Sequence, residues 1–308
     1  MQGYQQPQRN TGEMLKQAFL GKNILSRLIL INTIVFLLVS IVSLFTYLFT
    51  TTSGSLSGPA LSLIGKFMAL PSSFEVLITK PWTVVTYMFL HEDFFHLLFN
   101  LIMLYFGGLL FNEYLGEKRL LWTYLTGGIA GAIFFLIAFN VFPVFESISG
   151  IAVAVGASAS VLAIIIAVST YVPNYSIHLL FIGKVKLKYV AIIFVLIDLL
   201  SIPSGNPGGH IAHLGGASWG FLYAIILKTS GTDVYQLFSL SSFISLNKNK
   251  HAANKTAYKR PVSDDEYNAR KKKSQEQIDE ILDKISKSGY SSLTKEEKEL
   301  LFKTSKKK

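Results

Sequence analysis

The sequence predicts an all-α polytopic membrane protein: a bundle of six transmembrane helices followed by a small cytoplasmic helical hairpin. Three observations carry that expectation. Half of the 308 residues are hydrophobic and only 16% are charged, the balance of a membrane protein with a polar appendage. Six apolar runs occupy 28–50, 94–111, 120–139, 151–172, 187–203 and 211–227, and most approach the roughly 20 residues a helix needs to cross about 30 Å of hydrocarbon. The basic residues fall on alternate connections. Arg9, Lys16, Lys22 and Arg27 precede run one, Lys118 and Arg119 separate runs two and three, and Lys184, Lys186 and Lys188 separate runs four and five. The three–four and five–six connections hold no Lys or Arg. This bias places both termini in the cytoplasm.

Residues 1–24 form a cytoplasmic N-terminal segment, rich in Gln and Gly and loosely attached. The first run is too long for a signal-peptide core and lacks a small-residue cleavage site, so it is retained. Segment 51–93 is too long for a plain connector. Its stretch Pro59–Pro71 is apolar enough to lie on the bilayer face, and equally fits a folded surface loop. Runs five and six are short for a span, so their ends meet local bilayer thinning or neighbouring helices. The membrane domain thus covers 25–230.

Residues 231–262 read as a polar linker and 263–308 as a helical hairpin. Ser263-Asp-Asp-Glu266 resembles a helix start with acids in the first turn. Ile278, Ile281, Leu282 and Ile285 form a helical stripe, Gly289 can end that helix, and Thr294-Lys-Glu-Glu297 is a capping box for a second one. From 230 onward there are 17 basic and 11 acidic residues. Beside a membrane, such a tail suits a cytoplasmic partner or anionic headgroups. With no aromatic-basic platform, nucleic acid is not expected. The chain has no cysteine, which excludes thiolate nucleophiles, cysteine metal sites and disulfides.

The chemistry concentrates in three segments. In run four, Gly156-Ala157-Ser158 places a serine behind a glycine near the start of a helix, where unpaired N–H groups can hold an oxyanion. Small-residue helix packing gives the same pattern. Ser160 lies about 200° further round the helix and faces the other way. In run six, His213, Gly216 and Gly220 share one face. If run four packs on that bare surface, His213 reaches Ser158 as general base; a histidine bonded to a carbonyl in a tight helix pair is the bland alternative. His210, three residues earlier, reads as structural or as a loop anchor. In run two, His96 and Asn100 project from one face and can stabilise an oxyanion. His91 lies about 140° off that face and pins the outer loop.

His91 and His96 are five apart, whereas a metalloprotease helix needs histidines four apart. No metal and no cofactor are expected. No acid sits where a third triad member is obvious. Asp198, in run five, reads as bonding neighbouring backbone, and a Ser-His dyad suffices if a dry site positions the imidazole.

These residues resemble a known family. Trp82–His91 through Asn100, Gly156-Ala-Ser158, and Ala212-His213-Leu-Gly-Gly216 with Gly220 are similar to the motifs of rhomboid intramembrane serine proteases, as is the inner-loop pattern Asn112-Glu113 and Gly116-x-x-Arg119. The resemblance covers about 25–230. It implies a rhomboid-like bundle with Ser158 as nucleophile and His213 as base. His96, Asn100 and the Ser158 backbone N–H would hold the oxyanion, and Gly156, Gly216, Gly220 and His91 would support the site. It further implies a bacterial inner-membrane enzyme cutting transmembrane protein substrates near the outer face. One departure is Ala159, where many members carry glycine; its methyl would narrow the substrate channel or alter packing against helix six. The alternative is a silent client-binding protein of the same fold.

Overall fold

The computed structural model describes residues 18–49, 63–179, 183–231, 235, 279–289, 293–294 and 297–298. The chain divides into two compact units, Met1–Leu246 and Asn247–Lys308.

The described residues of the first unit are mostly helical, with two short antiparallel ladders. Helix α1 is Ile24–Phe49. A cap of short elements follows: α2 (Leu63–Met68), strand β1 (Leu70–Pro71), α3 (Phe74–Thr79), α4 (Thr83–Thr86) and a 3₁₀ turn, Tyr87–Phe89. Then come α5 (Phe94–Tyr114), α6 (Glu117–Val141), β2 (Val153–Ala154), α7 (Ser158–Tyr171), the hairpin β3 (Ser176–Leu179) and β4 (Gly183–Lys186), α8 (Leu187–Ser201) and α9 (Pro207–Thr229). Four of these helices, α1, α5, α6 and α9, are long and apolar enough to cross a membrane. With the shorter apolar helices α7 and α8, they make the polytopic bundle of an integral membrane protein.

Helix α7 is the core. Residues Ala159 to Ser169 are all buried, enclosed by α5, α6, α8 and α9. Helix α8 is peripheral, with Leu187 and Asp198 its only buried residues. Much of the surface of α1 and α8 is aliphatic, as lipid contact demands.

The fourth apolar run does not become one long helix. Val153 and Ala154 pair antiparallel with Pro71 and Leu70, and Gly156 takes φ +120°, so helix begins only at Ser158. The 14 residues of α7 span about 21 Å, short of the hydrocarbon thickness.

The outer segment is a folded element from Leu63 onward, while Pro59–Ser62 lie outside the described residues. Its contacts are polar and specific. Thr86 Oγ1 donates to the Met68 carbonyl at 2.8 Å and Trp82 Nε1 to that of Phe67 at 2.9 Å. Ser72 Oγ donates to the carbonyls of Ala152 and Ser149, and Asn140 Nδ2 donates to the Ser72 carbonyl at 2.8 Å. The cap is thereby fastened to the loop that precedes α7. It also exposes Phe67, Phe74, Ile78 and Trp82, an apolar surface suited to the bilayer face.

In the second unit, Thr294 and Glu297 make the reciprocal capping box. The Thr294 N–H donates to Glu297 Oε2 at 2.7 Å, and the Glu297 N–H donates to Thr294 Oγ1 at 3.3 Å. Gly289, at φ +76°, ends the preceding helix by donating to the Ile285 carbonyl. Ile281 is buried, but Leu282 is half exposed, so the stripe is narrower than its spacing predicts. Ile278 and the Ser263–Glu266 start lie outside the described residues.

Candidate active site

Ser158 is the first residue of α7, with Ala157 as N-cap. Its backbone N–H therefore belongs to the first turn, which has no intrahelical acceptor, and the positive end of the helix dipole sits there. The approach loop is held by the Gly156 N–H, which donates to the Tyr87 carbonyl at 2.9 Å. Gly156 is required twice over. Its φ of +120° disfavours any side chain, and a Cβ there would lie 2.8 Å from His96 Nε2 and 3.4 Å from Ser158 Oγ. The His96 ring thus lies directly against Gly156.

Ser158 Oγ lies 2.6 Å from His213 Nε2. Glycines bring the two helices together. A Cβ on Gly216 would stand 2.1 Å from the Ala159 carbonyl oxygen, and one on Gly220 would stand 2.2 Å from that of Ala163. Backbone rests on backbone at both points, one helical turn apart. Asn206 caps α9 through its Oδ1, which accepts from the Gly209 N–H at 3.0 Å, and Pro207 opens its first turn.

The other imidazole nitrogen has a partner that spacing along the chain did not show. His213 Nδ1 lies 2.7 Å from Asp198 Oδ1, and His210 Nδ1 lies 2.8 Å from the same oxygen. Asp198 therefore serves two histidines on α9 rather than backbone on α8. A hydrogen on each Nδ1 is the consistent assignment, leaving His213 Nε2 free to accept from the serine hydroxyl. One signal for this was available. Asp198 is the only carboxylate between Glu146 and Asp233, and an intramembrane acid marks a functional site by default.

Asn100 reaches the same cleft from α5, and His96, one turn earlier, lies against Gly156. Asp93 caps this helix by accepting from the His96 N–H at 2.9 Å. Asn100 Nδ2 donates to the His96 carbonyl at 2.9 Å, and Asn100 lines a cavity of about 240 Å³ together with Ser158, Asp198 and His213. His91 is buried behind His96, their rings edge to face at 5.1 Å. Its Nε2 accepts from the Ala157 N–H at 3.5 Å. Burial, and then the neighbouring His96, push its pKa down to about 3, so His91 stays neutral and able to accept.

Ser160 points away, fully buried beside Gly128, with no hydrogen-bond partner among the described residues. The Ala159 methyl lies near Gly131 of α6, which also approaches the Ala212 carbonyl of α9. Just past the C-terminal end of α5, Gly116 adopts φ +88° and Arg119 Nη1 donates to the Leu115 carbonyl at 3.0 Å. Asp198, His210 and His213 present ligand-type atoms within 4.8 Å of one another and could hold a small cation, although the same atoms are satisfied by the hydrogen bonds above.

Residues 79–230 match the Rhomboid domain, and residues 263–307 match a family of unknown function, DUF6576. The chain is 32% identical to RHOMBOID-like protein 12, mitochondrial, of Arabidopsis thaliana, over 44% of this chain and 43% of that protein. It is 28% identical to RHOMBOID-like protein 6, mitochondrial, over 60% and 56%, and 27% identical to RHOMBOID-like protein 7 over 57% and 52%, both from the same plant. The chain spans about half the length of the curated relatives it matches. With all the motif residues inside the matched domain, the chain belongs to the rhomboid family.

Proposed function

We propose that the protein is an intramembrane serine endopeptidase that cuts transmembrane protein substrates near the outer membrane face. The observation that carries this reading is the 2.6 Å approach of Ser158 Oγ to His213 Nε2 across two different helices. His213 takes the hydroxyl proton as Ser158 attacks the scissile carbonyl. Asp198 holds the imidazole in the Nδ1–H form and balances the imidazolium as it develops. The Ser158 N–H, with His96 and Asn100, receives the oxyanion. His213 then protonates the leaving amine, and water hydrolyses the acyl-enzyme by the reverse relay. The sequence reading of a Ser-His dyad thus extends to a dyad oriented by an acid.

In this reading both termini are cytoplasmic, and the tail unit contacts a cytoplasmic partner or anionic headgroups. The direct test is labelling by a fluorophosphonate probe together with release of a fluorescent transmembrane reporter. Both should require Ser158. A protein that binds membrane clients yet takes no probe and releases no reporter is a silent member of the fold.

A further inference from the structure

We propose that a phospholipid with an anionic headgroup occupies a second cleft, at the end of the bundle away from Ser158. This cleft lies between α7, α8 and α9 and has a volume of about 550 Å³, within the usual range for ligand pockets, about 300–1,000 Å³. Its walls are nearly all apolar, including Ile166, Ala191, Val195, Leu214 and Phe221. Such a space beside hydrocarbon is filled by an acyl chain rather than water.

Polar groups collect at one end of it. Lys188 lines the cleft, and Lys228 Nζ donates to the carbonyl of Thr170, another lining residue, at 3.3 Å. Lys184 and Lys186 follow on the exposed β4 strand. Ser169 also lines the cleft; its side chain is buried and its Oγ has no hydrogen-bond partner among the described residues. Nothing on these helices neutralises the lysines. The only carboxylate from residue 147 to 232 is Asp198, which lies in the other cleft against the histidines.

Apolar depth with a cationic mouth fits an acyl chain joined to a phosphate. A free phosphate would leave the apolar walls uncovered, and a zwitterionic lipid would bring an ammonium to the lysines. The site is separate from the catalytic cleft, and the proposal does not depend on protease activity.

Native mass spectrometry of the full chain released from detergent tests it, using phosphatidylglycerol and phosphatidylcholine with the same oleoyl chains. One phosphatidylglycerol should survive collision energies that strip phosphatidylcholine. Lys188→Gln with Lys228→Gln should weaken that retention by about fivefold for each lysine, the value of one basic residue near an anionic surface. Ala191→Leu, which fills the apolar part and keeps every lysine, should weaken both lipids. Equal retention of the two lipids by the wild type would overturn the proposal. So would unchanged phosphatidylglycerol retention in either variant. If the lysine pair does not fold, the Ala191 variant decides.

Discussion

Asp198 Oδ1 stands 2.7 Å from His213 Nδ1, reaching from α8 to α9. A peripheral helix thereby sets the tautomer of His213 on its neighbour. Asp198 is one of only two buried residues of α8, whose Ala191, Phe194 and Val195 pack on α7 and α9.

Asp198→Asn should therefore lower kcat by roughly tenfold to thousandfold, since the charge opposite the imidazolium is lost in the transition state while the serine remains. KM should change little. His210→Ala should have a smaller effect, because His213 keeps its own bond to the carboxylate. Steady-state kinetics on a reporter in detergent measure both. A pure KM effect for Asp198→Asn would assign Asp198 to substrate binding instead.

Gly216→Ala should be damaging far beyond its size. The added methyl would meet the Ala159 carbonyl at 2.1 Å, so α9 must move away from α7 and carry His213 with it. The expected cost is about 1–3 kcal/mol of stability from overpacking, with at least a hundredfold loss of probe labelling. Thermal melts and labelling rates on the same sample separate the two effects. Normal labelling would show that the helix contact does not govern the Ser158–His213 distance.

Much of this was legible because it rests on periodicity and residue size. The shared face of His213, Gly216 and Gly220 predicts a close helix partner, and the structure supplies α7. The Gly156–Ser158 spacing predicts a helix start, which falls on Ser158 itself. Two features were not legible. The length of α7 depends on Val153 and Ala154 pairing with a strand some 80 residues away, which apolar composition cannot distinguish from a continuing helix. The Asp198 contact depends on the placement of α8 beside α9. Periodicity says which face of a helix is apolar, not which neighbour a lone polar residue will meet.

His91 gives a pH prediction. Its folded pKa is depressed to about 3, while the unfolded chain titrates near 6.5. Unfolded protein thus binds a proton that folded protein refuses. Stability is complete above about pH 6.5 and falls as pH drops from there toward 3, by up to about 1.4 kcal/mol per pH unit. His91→Gln, which can still accept from the Ala157 N–H but cannot titrate, should flatten the fall in melting temperature between pH 7 and 4.5. Parallel curves for the two proteins would show that another group controls the acid limb.

The tail unit holds a capping box and a Lys284–Glu297 ion pair at 2.8 Å, with none of the candidate catalytic groups. Truncation after Leu246, where the first unit ends, should leave reporter hydrolysis in detergent nearly unchanged, and any effect should appear in the membrane as altered substrate choice or abundance. A stable truncated protein that cannot cleave in detergent would make the tail part of the catalytic machine.

The central claim is that Ser158 is a nucleophile activated by His213. Intact-mass measurement after fluorophosphonate treatment tests it most directly, on wild type, Ser158→Ala, Ser160→Ala and His213→Ala. The account predicts one adduct on the wild type, located to Ser158 by peptide mapping. Ser160→Ala should label nearly as fast, and the other two variants should not label at the wild-type rate. An adduct on Ser160, or undiminished labelling and reporter cleavage by Ser158→Ala, would contradict it.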